Sequence, residues 1–575
     1  MKTLYRLGNT LELVLDDVKP QRAGRLAPLR APKIESFMRR FLSIFVWSFG
    51  ILCFQPDVLA LRVDRAAYRY PYTDPYLATT TLSIAKGRDV LLADDDVSRR
   101  SLEITVLDGR DNAYLLEGKG KLRFRFYQQT GSAPLIFIIP GLGSPAAFGS
   151  AAYLAEVLVD QGFHVLILPS PFNWNFALAA SRSGLPGITQ EDSEDLYSAM
   201  QLILQHIKIH YGARVGGTGL IGLSDGALYG AYIGKIDTEK RKIGILRYLL
   251  VNPPVDLFKA VAIIDQMAEL GRKFGTQQRK RIEAYGAGVA EQASAMASGG
   301  HDPFNDPAYF VGWDKRFRLS DEQMQYLIGS VLQSPIGDVI YVHELVRPEG
   351  VLKTAISYAN RTERFYEAHS YGIRDYVRLF LIPRLEQRRR SQTTNGAWKI
   401  GLSLRDVEST LVENKNMFVM HNRDDFLVSI EDLDYLEGLL GDRAKIYPYG
   451  GHMGNIWYWQ NRNDIVSIFG SLSSANESET IDVPEGEGQY NVTREPPKLR
   501  PPIPRDSLAI SNWGFDSLSG LQGSFARARA APRSPGSSAR PLGRAGARYA
   551  SGRRTGAACS GSAGSCGSGT AGRRR

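Results

Sequence analysis

Cysteine is nearly absent from this chain: there are three in 575 residues, Cys53, Cys559 and Cys566. None lies between residues 61 and 523, so that span has no disulfide, no cysteine nucleophile and no thiolate metal site. Either redox compartment is compatible with this. Histidine is scarce too, with eight in all. His206 and His210 have the i, i+4 spacing of a helical metal pair, but no Glu or third ligand stands near them. They are expected to form a solvated or half-buried helix face. His164, within an apolar run, is expected to be a satisfied sheet residue. No metal and no other cofactor is therefore expected.

Charge of one sign is missing where the other is dense. From Ser524 to Arg575 there are eleven arginines, no lysine and no acidic residue, amid Gly, Ala, Ser and Pro. Residues 1–60 carry nine basic and five acidic groups. Of the net +10, the two ends hold +15, which leaves about −5 for residues 61–523. A basic excess would usually suggest nucleic acid, but here it sits in a low-complexity tail that cannot bury a core. No nucleic-acid partner is expected. Residues 476–575 are expected to be a disordered tail, and its arginine-rich end fits a GC-rich frame read out of register.

Long apolar runs are lacking as well. Phe41 to Phe54 gives fourteen mostly apolar residues, short of the ~20 that a membrane span needs. The run follows Met38-Arg39-Arg40 and precedes Val58-Leu59-Ala60. A charged region, an apolar region and a Val-x-Ala end match a secretory signal peptide at 38–60. Residues 1–37 then read as a non-native or disordered extension. The protein is expected to be exported, periplasmic or secreted. The alternative is a membrane anchor at 41–54, and the only membrane contact expected is through that segment left uncleaved. Sequons at Asn360, Asn476 and Asn491 are too short a pattern to carry weight.

What the chain does have centres on Gly222-Leu223-Ser224-Asp225-Gly226, preceded by Leu220-Ile221 and followed by Ala227-Leu228-Tyr229-Gly230. This reads as a strand turning sharply into a helix. Glycines two before and two after the serine allow the backbone to fold back without a Cβ clash, which lifts Ser224 Oγ toward solvent beside a helix N-terminus. Around it, Leu102-Ile104-Val106 and Leu122-Phe124-Phe126 alternate as antiparallel strands. Leu135–Ile139 is a continuously apolar strand ending in Pro140-Gly141-Leu142-Gly143. A helix over about 153–161, a strand at 164–168, a helix over 192–209 and an apolar strand at 245–251 complete the first half of the core. The expectation is an α/β fold, a mainly parallel central sheet flanked by helices, with the first half of its core at 61–253.

From 254 to 405 the strand pattern gives way to helical periodicity, as in Val261, Ile264, Met267 and Leu270, which suggests a helical cap. The sheet pattern resumes over 406–475. Met417–Met420 runs into His421-Asn422-Arg423-Asp424-Asp425, and Ala444–Tyr447 runs into Tyr449-Gly450-Gly451-His452.

The order of these motifs resembles the α/β-hydrolase superfamily, and within it the capped branch of serine aminopeptidase-like and monoacylglycerol-lipase-like enzymes. The resemblance spans about residues 100–475. It implies Ser224 as nucleophile, His452 as general base and Asp425 as the carboxylate that orients His452, in the order Ser, Asp, His. Asp424 adjoins Asp425, and Phe426-Leu427-Val428 after Asp425 favours the latter. The resemblance also implies an oxyanion hole built from the backbone N–H groups of Leu142 and Asp225. An acidic side chain at 225, beside a developing anion, departs from expectation and must point away. The aromatic loop Phe172, Trp174 and Phe176, after a strand's carboxyl end, is a candidate lining for the substrate pocket; ordinary packing is the alternative. The implied activity is a serine hydrolase that cleaves an ester or related acyl bond of a small-molecule acyl substrate. An exopeptidase of the same fold and a non-catalytic binding protein are the alternatives. The stripe at Val261, Ile264, Met267 and Leu270 is expected to favour an apolar acyl group.

Overall fold

A computed structural model describes residues 63, 67–84, 97–110, 114–146, 149–297, 319–391 and 401–474. The proposed extension, signal segment and tail lie outside the described residues. Eight strands form one sheet in the order β1-β2-β4-β3-β5-β6-β7-β8. They are β1 (Val97–Ile104), β2 (Leu122–Gln129), β3 (Ser132–Ile139), β4 (His164–Ile167), β5 (Arg214–Leu223), β6 (Ile245–Val251), β7 (Met417–Asn422) and β8 (Ala444–Tyr447). The β1–β2 and β2–β4 pairs are antiparallel, and every other pairing is parallel. The patterns explain the placement. Edge strand β1 is half-buried from Val97 to Arg100 and alternates exposed and half-buried positions from Ser101 to Ile104, whereas β3, which contains Leu-Ile-Phe-Ile-Ile, is buried from Ala133 onward. A strand covered on both faces loses no apolar residue to water, so it suits the parallel centre.

The period of two sorts these strands onto two cores. Ile136, Ile138, Ile221, Leu223, Leu249 and Val251 face one side; Leu135, Phe137, Leu220, Tyr248, Leu250 and Val419 face the other. Fully burying each such side chain stabilises the fold by roughly 1.5–3 kcal/mol. A short helix α1 (Pro75–Thr80) precedes the sheet, and α2 (Ser150–Asp160), α3 (Trp174–Ala179), α4 (Thr189–Tyr211) and α5 (Asp225–Lys240) connect its first six strands. Asp74 caps α1 by accepting from Leu77 N at 2.7 Å, with Pro75 at the first helical position, where its missing N–H costs nothing.

Between β6 and β7 the described residues contain no sheet strand. They form α6 (Leu257–Glu269), α7 (Thr276–Ala297), α8 (Asp321–Val346), α9 (Arg361–Ala368), α10 (Ile373–Tyr376), α11 (Ile382–Ser391) and α12 (Glu408–Glu413). After β7 come α13 (Ile430–Leu440) and, after β8, α14 (Trp459–Ser474). The insertion closes on itself at its base: Leu257 N donates to Leu402 O at 2.8 Å and Leu404 N to Val255 O at 3.0 Å. It leaves and re-enters the sheet at neighbouring points, so its helices stand over the strands' carboxyl ends. A third apolar cluster, including Ile264, Ile336, Val339, Ile340, Tyr376 and Phe380, joins it to Phe172, Trp174 and Leu178 around α3.

Helix α8 is the insertion's long element, capped by Ser320 and Gln323 in a reciprocal box, which satisfies two otherwise orphaned N–H groups. Pro335 lies inside it and removes one intrahelical donor. That ring lies directly on the turn after β3: a Cβ on Gly143, whose φ is +69°, would stand 2.1 Å from Pro335 Cβ. The proline therefore seats α8 on the loop that follows the central strand.

Candidate active site

Ser224 sits between β5 and α5 with φ +51° and ψ −120°, a conformation that costs of order 1–3 kcal/mol and persists only where its surroundings enforce it. The enforcement is local. Ser224 N donates to Val251 O at 2.8 Å, which ties the turn to the end of β6. A Cβ on Gly226 would stand 2.3 Å from Ile139 O, so α5 can approach β3 this closely only with glycine there. The turn predicted from the sequence is present, with the glycine-dependent approach that the motif implied.

The sheet brings two more residues to the same edge. Asp425 lies in the turn after β7, and its Oδ2 accepts from His452 Nδ1 at 2.9 Å while its Oδ1 accepts from Leu427 N at 3.0 Å. His452 follows β8, and its Nε2 stands 2.8 Å from Ser224 Oγ. With Nδ1–H donating to the carboxylate, the Nε2 lone pair accepts the serine O–H. All three side chains are buried. Burial works to push the Asp425 carboxyl up, but the His452 ring and the Leu427 N–H outweigh it and hold Asp425 below its ordinary value. Asp424 points elsewhere. It accepts from Gly450 N at 3.1 Å and Gly451 N at 2.8 Å, which braces the loop that carries His452. Burial pushes Asp424 up to about 6.

Asp225 opens α5, so its N–H has no acceptor within the helix. Its carboxylate is buried, neither oxygen has a hydrogen-bond partner, and burial pushes it up to about 7. The second expected donor, Leu142, follows Gly141, whose position is so close to the serine that a Cβ there would lie 3.3 Å from Ser224 Cβ.

A cavity of about 250 Å³ opens over Ser224 and His452. Leu142 lies in its wall with Leu82, Leu327, Ile328, Val331, Leu332 and Met453, and Thr79, Thr80 and Ser83 complete one side. Phe172, Trp174 and Phe176 do not line it. Phe176 is in the sheet core with Phe124 and Leu166, Phe172 packs edge-on against Tyr376 at 6.1 Å, and Arg123 lies over Trp174 at 6.0 Å. The loop braces the site instead, since Asn173 Nδ2 donates to Gly143 O at 3.0 Å. The stripe on α6 also faces elsewhere. Met267 and Ala268 meet α8 at Gly329, where a Cβ would lie 2.5 Å from Ala268 N. Within the insertion, the cavity's apolar wall comes from Leu327, Ile328, Val331 and Leu332 of α8.

Five partners escaped the sequence reading. Thr79 Oγ1 accepts from His452 N at 2.8 Å, and Thr81 Oγ1 donates to Gly454 O at 2.8 Å, so α1 grips the histidine loop from outside the sheet. Buried Tyr68 belongs to the same segment, and its OH accepts from Asn455 Nδ2 at 2.9 Å. Asp74-Pro75 is a helix-start signal from which α1 could have been found, though not the place where α1 docks. Asn252 and His421, which adjoin Asp425, carried no local signal. The His206 and His210 rings lie 4.5 Å apart with their planes tilted by 45°, His164 bonds to Gln129 N and Arg214 O, and no group of three metal-ligating side chains occurs among the described residues.

No protein-family model matches the chain, and no curated protein matches it. Solved structures do. An esterase of Pyrococcus furiosus is 13% identical over 65% of this chain and 92% of its own, with a TM-score of 0.31. Brefeldin A esterase, described as a bacterial homologue of human hormone-sensitive lipase, is 13% identical over 71% and 88%, at 0.31. An acylaminoacyl peptidase of Pyrococcus horikoshii is 10% identical over 67% and 43%, at 0.32. Likenesses this distant leave the chemistry to the residues themselves.

Proposed function

We propose that the protein is a serine hydrolase of the α/β-hydrolase type, cleaving an ester or related acyl bond through an acyl-enzyme. One observation carries this reading: the His452 ring bridges Ser224 Oγ at 2.8 Å and the Asp425 carboxylate at 2.9 Å. A serine hydroxyl is a poor nucleophile until an imidazole takes its proton. In the first step Oγ bonds to the acyl carbon, His452 Nε2 receives the proton, and the carbonyl oxygen becomes an oxyanion. Asp425 holds the tautomer and stabilises the imidazolium. The Leu142 and Asp225 N–H groups serve the oxyanion, each donor worth about 3 kcal/mol. The tetrahedral species then expels the alcohol, which leaves with the proton from Nε2. Water repeats the sequence on the acyl-enzyme, releasing the acid and restoring Ser224.

An apolar acyl group suits the cavity, whose wall offers Leu82, Leu327, Val331 and Leu332 and, among the described residues that line it, no carboxylate. An exopeptidase would need such a carboxylate to hold a substrate amine, and a binding protein would have no need of all three site residues. Export by the segment at 38–60 belongs to the same reading, supported by its charged, apolar and Val-x-Ala pattern.

The test is a fluorophosphonate probe, followed by nitrophenyl esters of graded chain length against aminoacyl amides. Labelling should occur at Ser224, vanish in Ser224→Ala, and be matched by turnover of esters over amides. Folded protein that takes up no label, or an equally labelled Ser224→Ala variant, would overturn the reading.

A further inference from the structure

Behind Asp425, on the side away from His452, lie two buried side chains to which the hydrolytic steps give no role. Asn252 directly follows β6 with φ +48°, a left-handed conformation that Asn tolerates better than most residues. Its N donates to Met420 O at 2.8 Å, which joins it to β7. From there Asn252 Nδ2 donates to Asp425 Oδ2 at 2.8 Å, the same oxygen that receives His452 Nδ1.

The second Asn252 amide hydrogen points to His421 Nδ1 at 3.4 Å. His421 must accept there, because its Nδ1 also receives Asn422 N at 2.9 Å while its Nε2–H donates to Pro253 O at 3.1 Å. The Asn422 N–H at Nδ1 and the Pro253 carbonyl at Nε2 are both met by the neutral, Nε2-protonated ring, with Asn422 O a longer 3.3 Å from Nδ1. The titratable groups facing His421 are Asp425, with Oδ2 3.7 Å from Nδ1, and His452 on the loop after β8. Strand β6 presents only Asn252 and the Pro253 carbonyl. Burial lowers His421 despite the Asp425 charge, which agrees with the neutral ring.

We propose that Asn252, its amide oriented by a neutral His421, is the positioning residue that aims the Asp425 carboxylate at His452. Without it Oδ2 would keep a single strong donor, and the carboxylate could rotate about its Leu427 bond. The inference rests on the hydrolytic reading of the site.

The test is made on the full chain with two variants. Asn252→Gly keeps the positive φ and removes the amide. Loss of a hydrogen bond to an ionised group corresponds to a rate loss of roughly tenfold to hundredfold, so kcat should fall by that factor with KM within about twofold. Asn252→Asp keeps the shape and tests the donor: protonated, the new carboxyl can still donate to Asp425; ionised, it repels it. Its activity should approach wild type in acid and collapse as pH rises, a change of profile that a purely structural residue would not produce. A folded Asn252→Gly variant with wild-type kcat, or an Asn252→Asp variant depressed equally at every pH, would overturn the proposal. Either variant alone decides it if the other fails to fold. Wild-type protein that fluorophosphonate does not label would instead remove the reading beneath it.

Discussion

Replacing Asp225 by Asn tests a carboxylate placed where an anion is least welcome. The two side chains are nearly isosteric, so the exchange removes a titration and little else. Burial pushes Asp225 from 3.8 to about 7, and neither oxygen has a partner. Its position at the start of α5 works the other way, but a helix N-terminus is worth about 0.3–1 kcal/mol, up to ~2, less than the burial effect. Below about pH 4 folded and unfolded chains both hold the proton, and Asp225 exerts no pH-dependent effect on stability. Between about 4 and 7 the unfolded chain gives up its proton while the folded chain keeps it. Each pH unit then costs about 1.4 kcal/mol, reaching about 4 kcal/mol by pH 7 and staying level above it. Asp225→Asn should therefore match wild type at pH 4 and exceed it by up to about 4 kcal/mol at pH 8. For a folded body of roughly 400 residues that is a rise of about 5 °C in Tm. Activity should follow. In the proposed hydrolysis an ionised carboxylate on the residue whose N–H serves the oxyanion opposes the charge developing there. Wild-type kcat should thus decline above pH 7 while that of the variant stays level. Thermal melts at pH 4 and 8 and a kcat profile to pH 9 are the assays. Equal melting differences at both pH values, with a wild-type rate that does not fall, would refute the reasoning.

Two further outcomes are expected. Thr79→Val keeps the volume but removes the acceptor for His452 N; kcat should drop about tenfold, with the unfolding free energy lowered by about the worth of one buried hydrogen bond, ~1–3 kcal/mol, and unchanged kinetics would show that α1 does not position the histidine. Val331→Trp fills the cavity from α8, so long-chain nitrophenyl esters should lose about tenfold or more in kcat/KM while acetate esters keep theirs; a constant ratio would mean the acyl group lies elsewhere.

Much of the site was legible because its components are local. A serine flanked by glycines at ±2 predicts a sharp turn, since that requirement concerns backbone within a few residues; the close approach of Gly226 to Ile139 O came from packing between distant segments. The apolar run Leu135–Ile139 predicts a strand covered on both faces, and β3 lies between β4 and β5. Polar residues at the end of an apolar strand, Asp425 after β7 and His452 after β8, predict groups at a sheet's carboxyl edge. The choice between Asp424 and Asp425 depended on which way two adjacent side chains point across 27 residues of chain, and neighbouring residues in a turn diverge.

The aromatic loop shows where local reasoning stops. Phe172, Trp174 and Phe176 follow a strand end, as a pocket lining would, but Asn173 starts α3 and turns all three into apolar cores. The α6 stripe was correctly apolar, yet amphipathicity states only that a face is buried and not against what. Alone, the sequence determined the secondary elements, the sharp turn at Ser224 and the residue types at the sheet's edge, because these follow from backbone sterics and from periodicities of two and 3.6 residues. The tertiary structure decided which elements share that edge. It set Thr79 under the histidine loop, 373 residues away, Asn252 against Asp425, 173 residues away, and α8 rather than α6 over the cavity. Contacts between distant segments are selected by the packing of whole surfaces, and no short stretch of chain carries that information.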